Sequence, residues 1–141
     1  MTPLLDAVPF ARTLGITFTS VDSTSAVAVL PDDPRLHNHV AGPHAGAMFS
    51  LAETCSGAVV LAAFGGVLDR AVPLAVRACI AYQKLAMGTV TATATLARPA
   101  ADVIAELESG TRPEFDVVVT VANADGKQTA EMTITWTLRP M

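Results

Sequence analysis

The sequence predicts an α+β domain in which an antiparallel sheet wraps around one long buried helix. A proline-free segment from His44 to about Gly65 is apolar on nearly every side, which is typical of a helix buried in a core. Segments of strand-like alternation precede it and, more extensively, follow it. No repeat, linker or low-complexity tract divides the chain, so we expect residues 1–141 to form a single domain.

The chain before this helix predicts a short helix and two strands. Thr2 and Pro3 are typical of an N-cap and a first helical residue, and we expect the helix that they begin to end near Gly15. Alternation over 16–19 and 26–29 predicts two strands joined by a tight bend.

The chain after the long helix predicts three or four strands, a short helix and a hairpin turn. The alternating segments are 74–82, 90–96, 117–121 and 130–138. Asp102 is expected to cap a short helix that ends at Gly110, and 123–126 reads as the turn of a hairpin. We expect the apolar face of the sheet to cover the long helix and its threonine-rich face to meet water or a second subunit.

Composition and charge exclude several classes of function. The chain is 51% hydrophobic and 16% charged, which excludes a disordered protein and predicts an apolar subunit interface or ligand groove. Its net charge of -4 and the absence of a basic run argue against nucleic acid as a partner.

The same sequence predicts a cytoplasmic protein without a membrane span. Its most apolar stretch, 56–68, is shorter than the roughly 20 residues that a span needs, and no signal peptide is visible. Cys55 and Cys79 have no metal-like or redox-like spacing, which favours a reducing compartment. His37 and His39 lack a third ligand at a suitable spacing, so we expect no metal site and no cofactor.

The entry to the long helix is the segment most indicative of chemistry. A glycine-containing turn leads into His44, and the first N–H groups of a helix have no partner within it. The small residues Ala45 and Gly46 let a ligand approach these groups, which could hold an oxygen that becomes negative during a reaction. Glu53 is the one charge inside the apolar helix, and burial would raise its pKa and make it a better base near neutral pH.

This segment resembles the hotdog-fold thioesterases of the phenylacetate-pathway, or PaaI-like, kind. The residues that carry the resemblance are Asn38, His44-Ala45-Gly46 and Leu51-Ala52-Glu53, together with Tyr82, the hairpin at Asp125-Gly126 and Trp136. The resemblance extends over the whole domain and is nearest to an uncharacterised thioesterase-like branch. It implies the hotdog fold and the hydrolysis of an acyl thioester, with acyl-CoA as the expected substrate.

The resemblance also implies roles for individual residues. The Ala45 N–H and the Asn38 amide would hold the thioester carbonyl, and His44 would shape the helix start beside Gly46. Glu53 would activate water or attack as a nucleophile. Ala45 and Glu53 are eight residues apart, or about 12 Å along a helix. We therefore expect Glu53 to act across the interface of a homodimer, opposite the partner's Ala45, with a dimer of dimers as the larger assembly.

Two other functions are compatible with the same residues. One is a non-catalytic acyl-binding hotdog domain, since Ala75 stands where some relatives have a serine or threonine that helps to hold the water. The other is an enoyl thioester hydratase or dehydratase, because His39 and Glu53 have the separation of fourteen residues that those enzymes show.

Overall fold

A computed structural model describes residues 6–141 and shows a six-stranded antiparallel sheet curled around one long helix. The strands are β1 Thr17–Val21, β2 Ser25–Leu30, β3 Ala71–Tyr82, β4 Val90–Leu96, β5 Glu114–Ala122 and β6 Gln128–Pro140. The helices are α1 Pro9–Thr13, α2 Ala45–Ala63 and α3 Ala100–Glu108, with 3₁₀ turns at Pro34–Leu36 and Gly65–Val67. The α+β class and the sheet around a central helix are confirmed. The predicted start at Thr2 and Pro3 lies outside the described residues.

The order of strands in the sheet is β1-β2-β4-β5-β6-β3. After α2 the chain runs into β3 at the far edge, where β3 pairs with β6 and not with β4, its successor in sequence. The outer edge of β3 has no partner within residues 6–141, and the strand exposes Leu74, Val76 and Tyr82. A long exposed edge with apolar side chains is unusual for an isolated subunit.

The helix α2 fits closely against the sheet because the facing strand residues are small. Ala26, Ala28, Ala92 and Ala94 are fully buried beneath it. The thiol of Cys55 on α2 donates to the carbonyl of Ala26 at 3.3 Å, and burial raises its pKa to about 12. Cys55 is therefore an unreactive core residue. By length and composition α2 could also cross a membrane, but here more than half of it is buried as a core helix.

The short helix after β4 begins earlier than the sequence predicts. Its N-cap is Pro99, whose carbonyl accepts the N–H of Asp102 at 3.1 Å, so the prediction that Asp102 caps the helix was wrong. Asp102 lies in the first turn, where its charge still complements the helix dipole. The helix ends as predicted, with Gly110 at a φ of 89°.

The threonine-rich face is open on β4 but largely covered on β6. Thr135 donates to Asp116 at 2.6 Å and Thr137 donates to the carbonyl of Pro113 at 2.7 Å, and both threonines are buried. The expectation that the threonines of β6 meet water or a second subunit was wrong there, because neighbouring residues of the same chain cover them. The predicted hairpin turn at 123–126 is confirmed, with Gly126 at a φ of 82°.

Candidate active site

The loop that leads into α2 is held by the side chain of Asn38. Its Oδ1 accepts the N–H groups of Val40 at 3.0 Å and Gly42 at 3.1 Å, and its Nδ2 donates to the carbonyl of Pro43 at 3.3 Å. A Cβ at Gly42 would lie 2.7 Å from the carbonyl oxygen of Ala86, so only glycine fits there. Asn38 thus fixes the shape of the loop, and its contact with a substrate stays a prediction.

His44 is the N-cap of α2. Its Nδ1 accepts the N–H of Gly46 at 2.8 Å, which leaves Nε2 to carry the proton in the neutral ring. The N–H of Gly46 is consequently occupied. A Cβ at Gly46 would lie 3.0 Å from His44 Nδ1, so a larger residue would press on this cap.

The N–H of Ala45 is an open donor at the helix start that ligands can reach. It has no hydrogen-bond partner within the described part of the chain, and Ala45 is exposed. The carbonyl of Ala45 accepts the hydroxyl of Tyr82 at 2.9 Å, which ties the end of β3 to this turn. A free N–H at the positive end of a 19-residue helix can bind an oxygen that gains negative charge.

Glu53 lies about two turns further along α2, at an apolar cleft. The cleft has a volume of about 160 Å³. Its lining residues are Val8, Phe18, Glu53, Thr54, Gly57, Ala58, Val60, Leu61, Pro73 and Trp136. Glu53 is half-buried, its carboxylate oxygens still reach solvent, and they form no ion pair or hydrogen bond with any residue in the described range. Partial burial raises its pKa. An unpaired carboxylate in apolar surroundings is expensive to keep, which is typical of a functional group.

Trp136 closes one side of this cleft and is linked to the backbone of Glu53. Its Nε1 donates to the hydroxyl of Ser56 at 3.1 Å, and that hydroxyl donates to the carbonyl of Glu53 at 2.7 Å. The ring lies over Gly57, where an added Cβ would be 3.6 Å from Cη2.

Sequence reasoning missed this part of the site. It used Trp136 and Tyr82 only as residues that carry the family resemblance, and it gave no role to Gly57. The available signal was an isolated glycine in a helical pattern, which usually marks close packing or function.

A single chain does not bring all the predicted site residues together. His44, Ala45 and Gly46 lie side by side at the helix start, with Asn38 shaping the loop beside them. Glu53 is eight residues beyond Ala45, about 12 Å along the axis. In the described residues no group of three His, Cys, Asp or Glu side chains could hold a metal ion.

The chain matches one family profile and several solved structures. The profile described as Domain of unknown function (DUF4442) matches residues 3–138. A Pseudomonas aeruginosa protein of unknown function, described as a probable thioesterase, has a TM-score of 0.87 at 22% identity, over 98% of this chain and 91% of that one.

Two further solved structures are similar over most of their length. A mutant thioesterase of Pseudomonas aeruginosa has a TM-score of 0.81 at 21% identity, over 99% of this chain and 94% of its own. The E. coli PaaI protein from the phenylacetic acid degradation operon has a TM-score of 0.76 at 20% identity, over 96% and 88%. No curated protein sequence matches the chain. At these identities the likeness shows the fold, which is the hotdog fold.

Proposed function

We propose, from the premise that this chain belongs to the DUF4442 family and has the hotdog fold, that it hydrolyses an acyl thioester. Acyl-CoA is the substrate that we expect. The observation that carries the proposal is the carboxylate of Glu53, which stands unpaired at an apolar cleft large enough for part of an acyl group. The descriptions of several structural neighbours as thioesterases support the same reaction class.

In the proposed reaction Glu53 acts as the general base. Its carboxylate takes a proton from water as the water oxygen bonds to the thioester carbon. The carbonyl oxygen becomes an oxyanion, to which the N–H of Ala45 donates. The C–S bond then breaks, the sulfur leaves as a thiol after protonation, and the acyl group leaves as a carboxylic acid. The raised pKa of Glu53 makes its ionised form a stronger base than an ordinary glutamate.

We propose that the site is shared between two copies of the chain. One helix cannot present Ala45 and Glu53 to the same carbonyl, since they are eight residues apart. The unpaired outer edge of β3, with its exposed Leu74 and Val76, supports a twofold dimer joined through that strand. In such a dimer Glu53 of one subunit would serve a carbonyl held at the partner's Ala45.

Two variants test the chemistry with a panel of acyl-CoA thioesters and detection of the released thiol. Glu53→Gln removes the base and keeps the shape. Ala45→Pro removes the free N–H, and proline is well tolerated at the first helical position, where His44 already has an extended backbone with a ψ of 141°. We expect each variant to lose about 100- to 1,000-fold in kcat. Full hydrolysis by Glu53→Gln would contradict the proposal.

Mixing these two variants tests the shared site. A mixed dimer contains one site built from an intact Ala45 and an intact Glu53, so unfolding and refolding an equal mixture should recover about a quarter of the wild-type rate. Each variant refolded alone is the control and should show at most about one hundredth of the wild-type rate. A mixture as inactive as its components would show that both groups act within one subunit.

A non-catalytic acyl-binding domain is the second candidate, favoured by Ala75. This residue lies on β3 opposite Trp136, and it has no hydroxyl to help hold a water. Tight binding of acyl-CoA without turnover on any substrate would support it. Loss of an enoyl-CoA absorbance without thiol release would instead support a hydratase.

A further inference from the structure

Gly57 occupies a position at which a helix normally avoids glycine. It lies in the interior of α2, where only proline is less favourable. Its backbone has an ordinary helical conformation, and a Cβ would meet only ordinary van der Waals contacts, at 3.6 Å and 3.7 Å from the Trp136 ring. Neither backbone strain nor a steric clash therefore requires glycine here.

The missing side chain leaves open space next to the proposed base. Residues four apart on a helix lie on the same face, so Glu53, Gly57 and Leu61 form one strip along α2. All three line the apolar cleft, with Trp136 facing the middle of the strip. A side chain at position 57 would enter the cleft beside the Trp136 ring.

The lining of the cleft indicates what could occupy that space. It contains no lysine, arginine or histidine, and Glu53 is its one charged residue, so an acyl group with a second carboxylate would be repelled. The volume of about 160 Å³ is close to that of a cavity of about 150 Å³ known to bind benzene.

We infer that Gly57 is a specificity-determining residue, which admits an uncharged apolar acyl group along the strip from Glu53 toward Leu61 and Trp136. The group that fits is a single ring or an alkyl chain of about six carbons. This inference rests on the proposed thioester site but concerns the size of the acyl group, which can be tested without hydrolysis.

The probe is a series of S-alkyl-CoA thioethers from butyl to decyl, which have no thioester bond to hydrolyse. Trp136 is the single tryptophan of the chain and lines the cleft, so its fluorescence reports occupancy. In the wild type the affinity should rise about fourfold for each methylene that enters the cleft, and then level off near hexyl. We call the chain length at which the affinity levels off the break, and it measures the length of the cleft.

Substitutions along the strip should move the break in opposite directions. Gly57→Ala should move it down by about one carbon and weaken binding of the longest fitting thioether about fourfold. Gly57→Leu should move it further down, and Leu61→Ala should move it up. Alanine is a better helix former than glycine, so Gly57→Ala is expected to fold.

Ala62→Leu is the matched control, because it enlarges an exposed residue of the same helix outside the cleft lining. It should leave the break where the wild type has it. A break that stays at the same length in Gly57→Ala and Gly57→Leu would overturn the inference. If thioethers bind with the expected shifts but no thioester is hydrolysed, the inference stands and the proposed reaction fails. Hydrolysis with the same chain-length profile in Gly57→Ala as in the wild type would overturn the inference alone.

Discussion

Glu53 carries a charge that the folded chain does little to stabilise. It has no cationic or hydrogen-bonding partner among the described residues, and burial raises its pKa above that of an ordinary glutamate. A carboxyl group with a raised pKa stabilises the fold while it is protonated. That contribution is complete below the ordinary pKa of glutamate and is lost as the pH rises through the raised value.

Glu53→Gln should therefore be more stable than the wild type at pH 7, although we expect it to be inactive. Glutamine stays neutral at every pH, so the difference in melting temperature should vanish below about pH 4, where an ordinary glutamate is protonated. Thermal unfolding of both proteins from pH 3 to pH 8 measures this difference. A variant that is less stable than the wild type at pH 7 would show that the carboxylate is stabilised by a partner in solution.

Residues of the site differ in how far the sequence alone could predict them. Glu53 stood out because it is the one charge in an apolar helix, which is a local property. The hydrogen bond from Trp136 to Ser56 joins residues 80 positions apart, and the place of Gly57 beneath that ring depends on the same contact. Alternation and spacing carry no information on such a pair.

Among the elements, α2 depends on the cap at its start. His44 accepts the N–H of Gly46 with a ring nitrogen, and Tyr82 holds the carbonyl of Ala45 from β3. Both contacts fix the turn that leaves the Ala45 N–H open. The cap therefore contributes to stability and also positions the proposed oxyanion donor.

His44→Ala should lower the free energy of unfolding by about 0.5–2 kcal/mol, the usual loss when a helix cap is removed. His44→Asn should restore most of it, because asparagine is a strong N-cap residue. Urea unfolding measures both. If His44 acts only as a cap, His44→Asn should also restore the hydrolysis that is lost in His44→Ala. A His44→Asn protein that is stable but inactive would instead indicate contact between the histidine ring and the substrate.

The elements themselves were largely predictable, because burial imposes a period on the sequence that can be read without coordinates. The bounds of α2 and the hairpin at 123–126 follow from local residue preferences. The start of α3 could not be predicted in this way. Pro99 is its N-cap, and the carbonyl of Pro99 accepts the N–H of Asp102. The burial of Thr135 and Thr137 was missed because it depends on Asp116 and Pro113, which lie outside β6.

For the whole molecule, the exposed edge of β3 is the feature that alternation could not reveal. The pattern predicts a strand there but not its place in the sheet, which depends on the chain passing beyond β6. That place leaves Val76 on an open edge, beside an irregularity in the pairing with β6 between Ala75 and Arg77. We expect the second subunit to pair along this edge.

Val76→Lys should convert the proposed dimer into a monomer, because a lysine on an edge strand opposes pairing with another strand. Thr19→Lys places the same charge on β1, the opposite edge of the sheet, and is the matched control. Sedimentation and thiol release should show a monomeric, inactive Val76→Lys protein and an active dimeric control. A fully active monomer would contradict the shared site.

The sheet order also has a consequence for the order of events during synthesis. β3 is complete at residue 82, but the strand that it pairs with begins at residue 128. At about 5–20 residues per second on the ribosome, α2 and β3 wait several seconds for β6 to emerge. During that interval α2, which has the length and apolar composition of a membrane span, is only partly covered by the sheet. Before β6 appears, the nascent chain is thus most accessible to chaperones and most open to mistargeting to a membrane.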